Sequence, residues 1–171
     1  MGVFEEKLAR AERLEVICQR AGFALWQLQS LEASSAQAFV LMAKAKRGMG
    51  EKMGSKLLGS ALKNTFGKTV HSMRRKGVIS GELEQRFESI LKERNWLVHR
   101  SRVDSEQAIV DTQAFEALHA RIDQIAEESH SLMKALADMA VDFTLRSGVP
   151  KERIQIEERE LLKRWHSRDD I

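Results

Sequence analysis

The feature that most constrains this chain is a run of apolar residues whose spacing alternates between three and four. Phe115, Leu118, Ile122, Ile125, Ser129, Leu132, Leu136, Met139 and Phe143 recur at this interval with one polar member, Ser129. Such spacing keeps one stripe of an α-helix facing the same way throughout. It fits no strand, whose faces alternate at every second residue. Asp104 or Ser105 offers an N-cap, and Ser147-Gly148 a stop. The predicted helix is therefore about 40 residues, or ~60 Å, long.

A helix of that length needs a partner of matching length to cover its stripe. The segment from about Val3 to Lys46 supplies it, with Leu14, Cys18, Ala21, Leu25, Leu28, Ser35, Phe39 and Met42 spaced mostly by threes and fours. These two segments predict an all-α fold: an antiparallel helical bundle with two long central helices and shorter flanking helices. On this reading Cys18 lies in the core. A single proline, no tyrosine and an abundance of good helix formers agree with it.

Between the long segments, Gly48, Gly50 and Gly54 mark a loop. Their spacing, GxGxxxG with Ser55-Lys56 following and no preceding strand, does not make a phosphate-cradling loop. Short helices are predicted from about Ser55 to Asn64 and from Gly67 to Lys76, with Gly77 as a stop. Ser80 is the predicted N-cap of a helix over Gly81–His99, striped by Leu83, Phe87, Ile90, Leu91, Leu97 and Val98. Beyond Pro150 a short helix is expected, with Ile154, Leu161 and Trp165 on one side, then a tail that is polar up to its last residue. The length of 171 residues suits one domain, with 150–171 as a peripheral helix and tail.

The one cysteine forms no internal disulfide. No apolar run approaches the ~20 residues of a membrane helix, and the first ten residues lack a signal-peptide core. A cytoplasmic protein without a membrane partner is expected. The five histidines show no metal-ligand spacing, so neither a metal nor a cofactor is expected.

Charge is unevenly placed. Ten cations lie between Lys44 and Lys76, among them Lys44, Lys46, Arg47, Lys52, Arg74, Arg75 and Lys76, against the single anion Glu51. That window carries +9 in a chain of net +3, so the remainder sums to −6. Segregation of this kind suits a polyanion such as RNA, and it equally suits a solvated face.

Arg94 falls near the centre of the stripe on the Gly81–His99 helix. Its charge must be satisfied there, and its own helix has only Ile90, Leu91, Leu97 and Val98 one turn away. An acid from elsewhere in the fold or from a second subunit would make a structural ion pair, which the local sequence favours; the guanidinium geometry also suits a phosphate oxygen of a ligand. His99 is five residues on, about 140° around a regular helix, whereas Asn95 and His99 share a face. Histidine is the side chain best suited to proton transfer near neutral pH, although one at a helix end also serves as a capping cation. Trp26 and Trp96 could stack on bases or pack in the bundle.

Arg94-Asn95-Trp96-Leu97-Val98-His99 resembles the Rx4-6H motif of HEPN (higher eukaryotes and prokaryotes nucleotide-binding) domains. A polar residue after the arginine and apolar residues before the histidine are both part of the likeness, which extends loosely over about Thr65 to Arg102. The resemblance implies a bundle of four or five helices, a homodimer with two motifs facing each other, and a metal-independent endoribonuclease. His99 would move protons, Arg94 would hold the scissile phosphate, and Asn95 would orient the groups. Arg100 and Arg102 would extend an RNA track. It also implies a toxin–antitoxin or phage-defence setting and an antitoxin protein as partner. Ser101 stands where one subset of the family has tyrosine. The alternative is a non-catalytic helical module that binds RNA or protein.

Overall fold

The structure, a computed structural model, describes residues 2–166. Within them the chain forms helices α1 (Val3–Ala43), α2 (Glu51–Ala61), α3 (Phe66–Arg75), α4 (Gly81–His99), α5 (Ser101–Ala108), α6 (Thr112–Arg146) and α7 (Lys151–His166), and no strand. The all-α class is as predicted. The tail 167–171 lies outside the described residues.

The stripe on α6 is the one the spacing predicts. Leu118, Ile122, Ile125, Ser129, Leu132 and Leu136 are buried. Ser129 satisfies its hydroxyl on its own helix, donating to the Ile125 carbonyl at 2.7 Å. Ser35 of α1 does the same with Leu31 at 2.7 Å. A polar residue in each long helix is thus buried without an orphaned group.

Where α6 begins differs from expectation. Ser101–Ala108 makes a separate short helix, and Asp111 accepts from the Ala114 amide at 2.7 Å to cap the long one. Asp104 and Asp111 are both cap-type residues seven apart; Asp104 instead accepts a hydrogen bond from the Trp96 indole and does not start α6. The glycine-rich connector is also shorter than predicted, since α2 starts at Glu51 and takes in Gly54.

The buried face of α1 is Ile17, Ala24, Leu28, Leu31, Ser35, Ala38 and Phe39. This corrects the expected seam over the helix's first half. Leu14 (46% exposed) and Leu25 (38%) are open, and Cys18 is exposed rather than in the core. α1 carries apolar residues on two adjoining rows, and only the row that meets the other helices is covered.

The sense of packing follows from side-chain pairs. Arg13 reaches the Ile109 carbonyl (3.5 Å) and the Thr112 hydroxyl (2.7 Å), and Arg20 pairs with Asp123 at 3.2 Å. Residue numbers on α1 and α6 therefore rise together, so these two helices run parallel. The antiparallel partner of α6 is α4, because Glu93 pairs with Arg121 and Arg86 with Glu128. The antiparallel contact expected between the two long helices is made by the shorter α4, since the chain crosses back through α2 to α5 before α6 starts.

Gly77 ends α3 with φ of 66°, a left-handed conformation that favours glycine. The Gly77 amide donates to Arg74 and the Val78 amide to Met73, both at 2.9 Å. This closes the helix and turns the chain towards α4.

The chain divides into two compact units, Met1–Leu136 and Ala137–Ile171. In the second, Gly148 (φ 88°) stops α6 and Pro150 precedes α7. Ile154 is partly buried, but Leu161 and Trp165, expected on a covered side, are 55% and 74% exposed. Among the described residues no helix is long and apolar enough to cross a membrane.

Candidate active site

Helix α4 carries every residue of the motif. Ser80 adopts the extended conformation of an N-cap, and Glu82 and Glu84 place negative charge on the first turn, where the helix dipole favours it. The Arg100 amide donates to the Trp96 carbonyl at 2.8 Å and closes the last turn. Phe87, Ile90 and Leu97 are buried. The stripe opens at its end: Val98, expected to be covered, is 44% exposed, and Trp96 is buried in its stead.

Two partners fix Trp96. Its indole N–H donates to Asp104 of α5, and the Arg121 guanidinium of α6 lies 3.5 Å from the ring centre. Arg121 is in turn held by Glu93, through bonds of 2.8 and 3.2 Å. Trp96 is thus a packing residue that anchors the motif helix to α5 and α6. Trp26, by contrast, is 73% exposed.

The acid that satisfies Arg94 is Glu32 of α1, whose Oε1 accepts from Arg94 Nε at 3.1 Å. The two side chains are 30% and 28% exposed. Arg94 Nη1 reaches Asn95 Oδ1 at 3.4 Å. Among the described residues Nη2 makes no hydrogen bond, so one edge of a fixed guanidinium stays available. Nothing in the sequence beside Arg94 announces Glu32, which lies 62 residues earlier.

His99 is exposed and has no hydrogen bond or ion pair among the described residues. Because α4 stays helical through His99, Arg94 and His99 face different sides of it. Arg94 and Asn95 are brought together within one chain, and His99 lies one turn beyond Asn95 on the same face. Arg100 and Arg102 are exposed just past the helix end.

The basic residues separate into two kinds. Lys44, Lys46, Arg47, Lys52, Arg75 and Lys76 are exposed on the end of α1, the connector, α2 and the end of α3. Lys44 also sits 5.1 Å over the Phe39 ring. Arg74 is engaged by Glu84 at 3.5 Å and Glu88 at 3.1 Å. A charge count along the chain misses both acids because they belong to α4.

A cleft of about 690 Å³ runs between α4 and α6. The Arg86–Glu128 and Glu93–Arg121 pairs border it. The hydrogen bonds to Glu128, at 2.7 and 3.0 Å, raise the Arg86 pKa above its ordinary value. These charges are matched within the fold, so the cleft holds α4 against α6 and presents no free cation or acid from these pairs. No three His, Cys, Asp or Glu side chains among the described residues gather as a metal site. The chain matches no family model, no curated protein and no solved structure.

Proposed function

We propose that the chain is an RNA-binding endoribonuclease of HEPN type, working without a metal. The observation that carries this reading is Arg94: its Nε is fixed by Glu32, and its Nη2 edge has no hydrogen bond among the described residues. A pre-oriented guanidinium with a free edge suits a phosphate oxygen and costs little to organise. Asn95 touches it, and His99 stands exposed one turn on.

In this reading the ribose 2′-oxygen attacks the adjacent phosphorus while its proton passes to His99. The bond from phosphorus to the 5′-oxygen breaks, and that oxygen takes a proton from water. The products are a 2′,3′-cyclic phosphate and a 5′-hydroxyl. Because Arg94 and His99 diverge on one helix, the reaction needs two copies of the motif, one lending its arginine edge and the other its histidine. A homodimer is therefore part of the proposal. Arg100, Arg102, Lys44, Lys46, Arg47, Lys52, Arg75 and Lys76 supply the sequence-independent hold on RNA. The setting proposed is a toxin–antitoxin or phage-defence system in the cytoplasm, with an antitoxin as the silencing partner.

One observation favours a second reading. Glu32 already satisfies the Arg94 charge, which is what a structural arginine requires. The chain would then be a helical module that binds RNA or protein without cutting.

Incubating total RNA with wild type and His99→Ala in EDTA separates the two. Cleavage by wild type alone, leaving 2′,3′-cyclic phosphate ends, supports the nuclease. Intact RNA with both folded proteins, alongside RNA binding, rejects it in favour of the module.

A further inference from the structure

A second cavity, of about 170 Å³, opens where α1 meets the region from Ala61 to Thr69. Gln29 and Glu32 line it from α1, Thr69 from α3, and Asn64 and Phe66 from the turn and the start of α3. It adjoins the candidate site, since Glu32 is the residue that holds Arg94.

Its polar groups are unspent. Thr69 is 4% exposed, yet its hydroxyl makes no hydrogen bond among the described residues. No side-chain nitrogen or oxygen there is both fully enclosed and unpartnered. The Thr69 oxygen therefore meets the open volume it lines. The Gln29 and Asn64 amides stand at the exposed rim of the cavity without protein hydrogen-bond partners among the described residues, and Glu32 uses only Oε1 on Arg94. Buried polar side chains are ordinarily paired within the fold. A buried threonine hydroxyl left open to a cavity that a carboxylate and two rim amides also line points to a ligand that brings its own donors and acceptors.

Size and wall chemistry narrow the ligand. The volume is below the ~300 Å³ at which pockets for drug-sized ligands begin, so it takes a fragment the size of a base and not a whole nucleotide. Phe66 gives an apolar wall among small side chains such as Ala33. We infer that this cavity is a nucleobase subsite, and that it receives an unstacked base of the RNA whose phosphate lies on Arg94. Single-stranded RNA is read in this way, by base edges against side-chain hydrogen bonds and an aromatic wall. The free carboxylate oxygen of Glu32 accepts from an exocyclic amine, so adenine, cytosine and guanine are favoured over uracil, whose N3–H is flanked by two carbonyls. The inference rests on the ribonuclease reading for its substrate, and on the cavity alone for its geometry.

The test titrates the full chain with the four nucleoside 3′-monophosphates and with inorganic phosphate, followed by calorimetry. The variants are Thr69→Val, Thr69→Ser and Ala33→Leu, each checked for wild-type circular dichroism. Amine-bearing nucleotides are expected to bind at least fivefold tighter than uridine 3′-monophosphate or phosphate. Thr69→Val should cut that affinity about fivefold, the worth of one hydrogen bond. Thr69→Ser should restore it, and Ala33→Leu should abolish the preference by filling the space. Phosphate affinity should not move in any of the three. Equal binding of all four nucleotides, or wild-type behaviour of both Thr69→Val and Ala33→Leu, overturns the subsite. RNA cleavage with unchanged base preference in those variants overturns the subsite and leaves the nuclease standing. Selective nucleotide binding without cleavage of any RNA keeps the subsite and removes the nuclease.

Discussion

Replacing Glu32 by leucine tests how much of the α1–α4 contact depends on one ion pair. At 3.1 Å, an effective dielectric of about 20 gives a gross attraction on the order of 5 kcal/mol. Desolvation offsets most of this, because the two side chains are only 30% and 28% exposed. Exposed pairs are worth about 0–1 kcal/mol, while removing one partner of a fully buried pair costs about 3–5. The geometry lies between, so Glu32→Leu should cost about 2 kcal/mol, or roughly 4–8 °C in Tm. Arg94→Met should cost a similar amount by leaving the carboxylate alone. The double variant should then lose well short of the ~4 kcal/mol of two independent losses, at most about 2 and towards zero, since apolar groups of similar volume replace such pairs at little net cost. Urea unfolding followed at 222 nm gives all four stabilities and hence the coupling. Losses that add to within ~0.5 kcal/mol would show that Glu32 and Arg94 act independently, and the assignment of Arg94's partner would fall.

Other expectations are equally direct. Gly77→Ala has room for its methyl group but must hold φ of 66°, and should cost about 1–2 kcal/mol by urea unfolding; no loss would mean the α3 end relaxes freely. Cys18, exposed on α1, should react with a thiol reagent in the native protein within a fewfold of its rate in urea, and strong native protection would contradict the face assigned to α1. On α7, the hydrogen bond from Lys163 holds the Glu160 carboxyl below its ordinary pKa. Any stabilisation from this group is therefore complete above the ordinary carboxylate value and lost as pH falls through the lowered one. Lys163→Met should move the Glu160 titration upward by NMR, and an unmoved curve would dismiss the pair.

What could be read from sequence was whatever one helix decides by itself. The α6 stripe from Leu118 to Leu136 is strictly periodic with one possible buried side, and the start of α4 follows from the Ser80 N-cap. α1 was harder, because Leu14, Cys18 and Leu25 make as good a row as Ile17, Ala24 and Leu31, and only the neighbouring helices choose between them. The pairing of Arg94 was legible as a need, an apolar stripe with a charge at its centre. Its answer was not, since Glu32 is remote in sequence and one of many acids. A search for a carboxylate flanking the Leu28, Leu31 and Ser35 face would have found it. Thr69 and Asn64 carried no local signal at all: an unpartnered hydroxyl is a property of packing, not of spacing.

The parallel course of α1 and α6 has a consequence for how the chain is made. Arg13 and Arg20 find their partners 96 to 103 residues later. At about 5–20 residues per second, a ribosome needs roughly 5–20 s to deliver those partners after Arg13 and Arg20 have been made. Throughout that interval the row from Ile17 to Phe39 has only α2, α3 and α4 to cover it, and they arrive one after another. The nascent chain thus carries α1 only partly covered for seconds, long enough for a chaperone or a second nascent copy to reach its open part before α6 does.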